Sequence, residues 1–272
     1  MIEIDRDLCI RCHECVKDCA AMILKPGPDG IPAIVPGLEK YCMNCQHCLA
    51  VCPKGAVTCR GTTPERCASI GHLPDPEAMF YLIRQRRSVR RFRPDPVPSD
   101  VMGKLKESLA WSPTGCNDHR LFFCVVEDPE EMAFFREETG RMLRRMIRCG
   151  IMRLVYPGYK RFLREIMNGE DVIFRSAPHM IVAATPKNAP CKEADPWIAL
   201  SYFDLFAQSF GLGTCWCGFG VHAFRLNRKL RRRLDLPPGY QVGSVLLFGE
   251  PAVHYPRATC PEPFPIRTIG MP

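Results

Sequence analysis

Apolar runs long enough to cross a membrane are missing from this 272-residue chain. A spanning helix needs roughly 20 consecutive apolar residues, and no stretch approaches that. No G-x-G-x-x-G occurs, so the usual dinucleotide fingerprint is absent. Aromatics make up only 9% and do not interleave with the basic segments, which argues against a nucleic-acid reader. The N-terminus has no basic-then-apolar leader, so a soluble protein of a reducing cytoplasm is expected and a disulfide framework is not. Acid is in deficit, with 29 Asp and Glu against 37 Lys and Arg, for a formal charge of +8.

What the chain does have is cysteine, 17 in all, ten of them within the first 67 residues. Cys9, Cys12, Cys15 and Cys19 read C-x2-C-x2-C-x3-C, and Cys42, Cys45, Cys48 and Cys52 repeat that spacing 33 positions later. A structural zinc site uses two C-x-x-C pairs, and would leave the third and fourth cysteine of each run surplus. A [4Fe–4S] cube takes four thiolates, which accounts for all eight. The runs resemble those of bacterial two-cluster ferredoxins, with Pro53 after Cys52 as in that pattern and Ala20 where its other Pro would stand. The resemblance implies two clusters, the fourth cysteine of each run crossing to the other cluster. One would use Cys9, Cys12, Cys15 and Cys52; the other Cys42, Cys45, Cys48 and Cys19. Each oxidised cluster with its thiolates carries about −2, which brings the +8 to about +4. The charge therefore requires no nucleic-acid partner. His13 and His47 lie inside the loops and read as exposed spacers.

Residues 1–60 form the cysteine-rich module, with Ile2, Ile4 and Val57 in short flanking strands. Residues 61–75 are polar with Gly and Pro and read as a linker. Residues 76–272 suit one ordinary globular domain. Asp75-Pro76-Glu77 combines an N-cap, an N1 proline and a first-turn acid, predicting a helix to about Arg87. A second helix starts at Ser99-Asp100. Residues 130–148 fit a third, and Asp195-Pro196 opens a fourth that ends at Gly211 or Gly213. Leu226, Leu230 and Leu234 lie in register on a helix over 221–234. Buried strands are expected at Leu121–Val126, His179–Thr185 and Gln241–Phe248. From Pro251 the chain reads as an extended arm. The fold class is α+β, a small ferredoxin-like domain followed by a larger domain with a central sheet flanked by helices. Arg228, Lys229, Arg231, Arg232 and Arg233 read as a solvated face, or alternatively as a dock for an acidic redox partner.

A second constellation lies in the larger domain. Arg86-Arg87-Ser88-Val89-Arg90-Arg91-Phe92 ends a helix and enters an extended Pro-rich segment, where side chains can converge. Ser112-Pro113-Thr114-Gly115-Cys116-Asn117 combines small residues with an Asn that can pair with a heteroaromatic edge. Gly211–Gly218 and Val245–Pro251 complete the set. In this order the four segments resemble the motifs of the nitroreductase family of flavoproteins, over roughly residues 76–260. The resemblance implies FMN bound at a homodimer interface. Arg86 and Ser88 would hold the phosphate with Arg87 adjacent, since Arg offers a planar fork to phosphate oxygens. Arg90 would sit at the flavin edge that gains negative charge on reduction. Pro113, Thr114, Gly115 and Asn117 would line the ring and ribityl chain. Cys217 and Gly218 would present backbone groups near N5, and Arg257 would reach the phosphate from the arm. No catalytic side chain is implied, because the flavin carries the chemistry. Cys116 and Cys217 have no neighbouring base in sequence and are not read as nucleophiles.

Together the modules predict a flavin oxidoreductase with built-in electron relays. An external donor such as a redox protein would reduce the clusters, which reduce FMN, which reduces a small electron-poor acceptor such as a nitroaromatic or quinone. The alternative is an electron-transfer protein serving a partner enzyme. Other flavin chemistry, such as reductive dehalogenation, is open, and residues 140–175 are the candidate substrate lid.

Overall fold

The computed structural model describes residues 1–152 and 157–270. It comprises two compact units, one of residues 1–73 with 114–119, the other of residues 74–113 with 120–270.

In the first unit, β1 (Ile2–Ile4) pairs antiparallel with β4 (Val57–Cys59), and β2 (Leu24–Pro26) with β3 (Pro32–Ile34). The sequence repeat is also a conformational repeat. One-turn helices α1 (Glu14–Lys17) and α2 (His47–Ala50) each follow a left-handed residue, His13 at φ 61° and Gln46 at φ 60°. Two residues earlier, Arg11 and Asn44 are also left-handed, at φ 57° and 52°. Each loop thus reverses twice within a few residues, which lets three close cysteines face inward. Ile23, Leu24, Leu49 and Val57 form the apolar floor beneath Cys15 and Cys48. The strand residues Ile2, Ile4 and Val57 lie where the sequence predicts them.

In the second unit, α3 (Pro76–Gln85) begins as expected, with Asp75 Oδ2 accepting from the Ala78 N–H at 3.0 Å. After it come α4 (Ser99–Ser108), β5 (Phe122–Val126), α5 (Pro129–Arg148) and α6 (Lys160–Met167). The chain continues through β6 (His179–Pro186), α7 (Asp195–Ser209), β7 (Gly213–Trp216), α8 (Gly218–Leu226), α9 (Arg228–Arg233) and β8 (Tyr240–Gly249). The sheet order is β5-β6-β8-β7, antiparallel throughout. All eight residues of β6 are buried, because α7 and α4 cover one side and α5 and α8 the other. The class is α+β.

Three details differ from the sequence reading. β7, within the Gly211–Gly218 motif, is a fourth strand beyond the three expected. The helix expected over 221–234 is two helices, because Asn227 takes extended angles (φ −103°, ψ 112°) and its side chain caps α9, accepting from the Lys229 N–H at 2.8 Å. α7 stops at Ser209, just before Gly211 at φ 77°. Part of the candidate lid, residues 153–156, lies outside the described residues. From Pro251 the chain runs without helix or strand, as expected of an arm. Among the described residues no helix is long and apolar enough to cross a membrane.

Candidate functional site

In the first unit, Cys9, Cys12, Cys15 and Cys52 line one cavity whose walls are Ile4, Ile10, Ala56 and Val57. Burial pushes the Cys15 thiol up, and the neighbouring Cys52, Cys12 and Cys9 push it further. Four thiolates crowded into an apolar site repel one another, and a cationic iron–sulfide core relieves that repulsion. Cys52 Sγ also accepts the Ala56 N–H at 3.2 Å, a second-layer bond that orients a ligand sulfur. Among the described residues no three His, Cys, Asp or Glu side chains converge as ligands of a single ion. The four thiols instead line one small cavity. The donor set fits an iron–sulfur cluster.

The second run gathers around a cysteine that spacing does not single out. Cys59, 1% exposed, shares a hydrogen bond with Cys48 and lies in electrostatic range of Cys42 and Cys45. Burial first, then Cys59 and Cys45, push the Cys48 thiol up to about 12. The Cys59 thiol also donates to Asn44 Oδ1 at 3.6 Å. The expected fourth ligand, Cys19, is half-buried against the same core. One signal could have found Cys59: it follows Val57 by two in a strand, so both face the core.

The segment Thr114–His119 groups with this first unit. Asn117 Nδ2 donates to the carbonyls of Met43 (3.0 Å) and Asn44 (3.1 Å), inside the second cysteine loop. Its Oδ1 faces His119 Nε2 at 2.9 Å. Thr114 Oγ1 accepts the His119 N–H at 3.0 Å. Gly115 opens the turn, in which Cys116 and Asn117 are left-handed, at φ 55° and 53°.

In the second unit, the basic segment is laid along β7. Ser88 bridges Thr214 in parallel, and the Val89 N–H donates to the Thr214 carbonyl at 2.8 Å. Position 213 must be glycine for this approach, since a Cβ there would stand 2.7 Å from Val89 Cγ2. Asp204, 3% exposed, accepts from the Thr214 hydroxyl and, at 2.9 Å, from Gln208 Nε2. Its other oxygen stands 3.9 Å from Arg86 Nη1, which fixes where that guanidinium points. Asp204 is a site residue that sequence reasoning missed; it is an acid in an apolar helix, a pattern that signals a buried partner. Arg90 Nη1 donates to the Ser88 carbonyl at 3.2 Å.

Three buried polar atoms are unsatisfied among the described residues: Arg87 Nη2 in the basic segment, Ser112 Oγ in the second motif and Thr139 Oγ1 on α5. An uncompensated buried donor is costly, so such atoms mark a place for a polar ligand. With Arg86 and Arg90 in the same segment, the unsatisfied Arg87 guanidinium fits a phosphorylated cofactor. Cys217, by contrast, is committed to the fold. Its N–H donates to the Val245 carbonyl at 2.9 Å, its thiol to the Ile173 carbonyl at 3.5 Å, and burial pushes that thiol up to about 12. Gly218 starts α8, beside open space, and Pro113 is exposed. Arg257 is exposed on the arm, without a hydrogen bond or ion pair among the described residues. The Cys215 thiol is raised by burial and lowered by three cations, Arg90, Arg175 and Arg86. Of these, Arg175 is new.

A sheet wrapped by helices, with a cation-rich strand edge and a separate thiol-rich module, is the layout of a redox protein that holds an anionic organic cofactor. Comparison with known proteins makes this specific. Residues 83–250 match the model of the Nitroreductase family, and residues 8–57 that of the 4Fe-4S dicluster domain. The chain belongs to the nitroreductase family and carries an N-terminal ferredoxin-type 4Fe-4S domain. It is an FMN-dependent oxidoreductase.

Among solved structures, a nitroreductase with bound FMN from Bacteroides fragilis is 18% identical, at a TM-score of 0.59, over 71% of this chain and 98% of that one. A nitroreductase with bound FMN from Desulfitobacterium hafniense is 23% identical, at a TM-score of 0.56, over 68% and 94%. An iodotyrosine deiodinase from Thermotoga neapolitana is 26% identical over 188 residues, 66% of this chain and 93% of that protein.

Proposed function

We propose that the protein reduces a small electron-poor acceptor (a nitroaromatic, quinone or similar compound) with electrons delivered through two [4Fe–4S] clusters. One observation carries the relay: Cys52, from the second run, shares a cavity with Cys9, Cys12 and Cys15 from the first. That crossing is the signature of a two-cluster module. Cys42, Cys45, Cys48 and Cys19 then hold the other cluster. When bound, the clusters carry single electrons and FMN supplies hydride chemistry.

The chain's own residues hold and bias these groups. Arg86, oriented by Asp204, and Ser88 hold the phosphate, with Arg87 and Arg257 adding charge. Arg90 places a cation where negative charge develops on reduction. Pro113, Thr114, Gly115 and Asn117 border the ring and ribityl chain. Gly218 presents its backbone near N5, whereas the Cys217 N–H and carbonyl are already bonded within the fold, to Val245 and to the N–H groups of Gly220 and Val221. A homodimer is supported by exposed apolar side chains on α3 (Phe80, Tyr81) and α7 (Trp197, Tyr202, Phe206). The donor is an external one-electron carrier, which a redox protein would supply.

The test is anaerobic absorbance with iron, sulfide and flavin analysis, then acceptor reduction by dithionite-reduced protein. About eight irons and one FMN per chain, with turnover of nitroaromatics or quinones, are expected. Full iron without flavin, or turnover only in the presence of a partner protein, would favour a pure electron-transfer role. The deiodinase relative favours a second reading, reductive dehalogenation, and halide release from a halophenol under the same conditions tests it.

A further inference from the structure

A cavity of about 410 Å³ opens between α5, the end of α6 and the turn that leads into β6. None of its lining residues belongs to the cysteine runs or to the four motif segments of the larger domain. Ile166 and Ile173, both buried, form an apolar floor. The walls carry two arginines, Arg136 and Arg144, each half-buried.

Distances place both guanidiniums. Arg136 Nη1 donates to the Ala177 carbonyl at 3.2 Å, which pins it beside the turn. The Arg144 guanidinium folds back over Gly140, one turn earlier on α5. A Cβ at Gly140 would stand 3.0 Å from Arg144 Nη1 and 3.6 Å from Nη2. The absent side chain at 140 therefore gives that fork its seat. Among the described residues Arg144 has no hydrogen bond and no ion pair. Thr139, 1% exposed, lines the same cavity, and its hydroxyl is unsatisfied. The turn is held rigid by Asp171, whose Oδ1 accepts the Phe174 N–H at 2.8 Å and Oδ2 the Ser176 N–H at 2.9 Å. That carboxylate is thus committed to the backbone. The other two acids, Glu137 and Glu170, are exposed at the rim, where water screens them. The interior is cationic with free donors, and the rim is anionic with free acceptors.

We propose that this cavity is a second binding site, for a small carboxylate whose body carries hydroxyl groups. Arg144 takes the carboxylate in two-point fashion on its planar fork, Arg136 adds its charge, and the Thr139 hydroxyl supplies a further donor. Glu137 and Glu170 accept from the ligand's hydroxyls at the open end. A phosphate dianion suits the site less well, because the rim carboxylates repel its second charge. The walls are fixed before the ligand arrives, so little ordering is lost on binding.

The test is calorimetric titration of the holoprotein with gluconate, with glucose as the neutral counterpart, and with inorganic phosphate. Gluconate should bind saturably, glucose should not, and phosphate should bind more weakly than gluconate. Arg144→Gln should raise the gluconate Kd roughly ten- to a hundredfold, the range of a hydrogen bond to a charged group. Two further variants separate binding from folding. Thr139→Val deletes a hydroxyl that has no partner, so the melting temperature of the ligand-free protein should stay level or rise, while the Kd rises about three- to tenfold. Gly140→Ala improves helix propensity and displaces only the end of a flexible side chain, so it should also keep the melting temperature while raising the Kd about tenfold. No saturable heat with gluconate at about 10 mM, equal binding of gluconate and glucose, tighter binding of phosphate, or a gluconate Kd unmoved by Arg144→Gln would each overturn the proposal. A lower melting temperature in Thr139→Val would overturn the role given to its hydroxyl.

Discussion

Gly213→Ala should displace the segment that carries Arg86, Ser88 and Arg90. The new Cβ would stand 2.7 Å from Val89 Cγ2 and 2.8 Å from Val89 Cβ and Cγ1, all inside contact distance. Val89 is buried, and its N–H is held at 2.8 Å by the Thr214 carbonyl, so it has no room to yield without breaking that bond. Overpacking of this kind costs about 1–3 kcal/mol. The lost backbone bond adds about 0.5–1.5 kcal/mol, for a total of about 1.5–4.5 kcal/mol of stability. FMN affinity should fall at least about tenfold, since 1.4 kcal/mol of misplaced arginine contact is enough for that. Denaturant unfolding at fixed FMN concentration reads the first effect, and quenching of FMN fluorescence the second. A compensating change makes the reasoning strict. Val89→Ala removes two of the three clashing atoms but leaves Cβ, so it should restore FMN binding in the Gly213→Ala background only in part. Val89→Gly removes all three and should restore it nearly fully, while forfeiting the burial of the valine side chain, about 1.5–3 kcal/mol of stability. Wild-type FMN affinity in Gly213→Ala, or no recovery with Val89→Gly, would refute the close-approach argument.

Cys52→Ala should remove about four irons and eliminate the cluster held by Cys9, Cys12 and Cys15, as followed by iron analysis and low-temperature EPR; loss of the other cluster would mean that the fourth cysteines do not cross. Cys59→Ala should keep the full iron count and shift the midpoint potential of one cluster, because it deletes a buried sulfur that hydrogen-bonds with Cys48. Loss of about four irons would instead make Cys59 a ligand. His179 is buried with Nε2 accepting from the Val97 N–H at 2.9 Å, and burial lowers its pKa below the ordinary 6.5. The unfolded chain therefore binds a proton that the folded chain refuses, so stability falls as pH drops below about 6.5, down to the folded pKa. His179→Gln should flatten that slope in melting experiments between pH 7 and 5; an unchanged slope would show that other groups set it.

Much of this architecture is legible in local pattern. The 33-residue cysteine repeat reappears as paired left-handed residues at Arg11 and Asn44 and at His13 and Gln46, because a short loop must reverse sharply to aim three thiols at one body. Asp75 caps α3 with Pro76 in its first position, whereas in α7 Ala194 holds the cap position and Asp195-Pro196 fill the first turn. β5, β6 and β8 are apolar runs long enough to stand out. β7 is not: Gly213-Thr214-Cys215-Trp216 is short and has no alternation, and it is a strand only because β8 offers it an edge. The break at Asn227 is hidden because Leu226, Leu230 and Leu234 keep helical spacing across it, and a side-chain cap leaves no trace in hydrophobic periodicity.

The site divides along the same line. Residues that act by type are readable: thiolates for iron, arginines for phosphate. Residues that act by position are not, since Asp204 and Cys59 owe their importance to what tertiary packing sets beside them. Asn117 makes the point from the other side. Its motif marks it for a flavin edge, yet its amide is spent on the carbonyls of Met43 and Asn44, the backbone of the second cysteine loop. A residue in a flavin-type motif is thereby bound to the second cysteine loop. Asn117→Ala removes two hydrogen bonds to that loop, worth about 1–3 kcal/mol together. Faster air inactivation of the second cluster, followed by decay of its EPR signal, is the expected consequence. Unaltered cluster lifetime with weakened FMN binding would show that the amide leaves the loop when the cofactor binds.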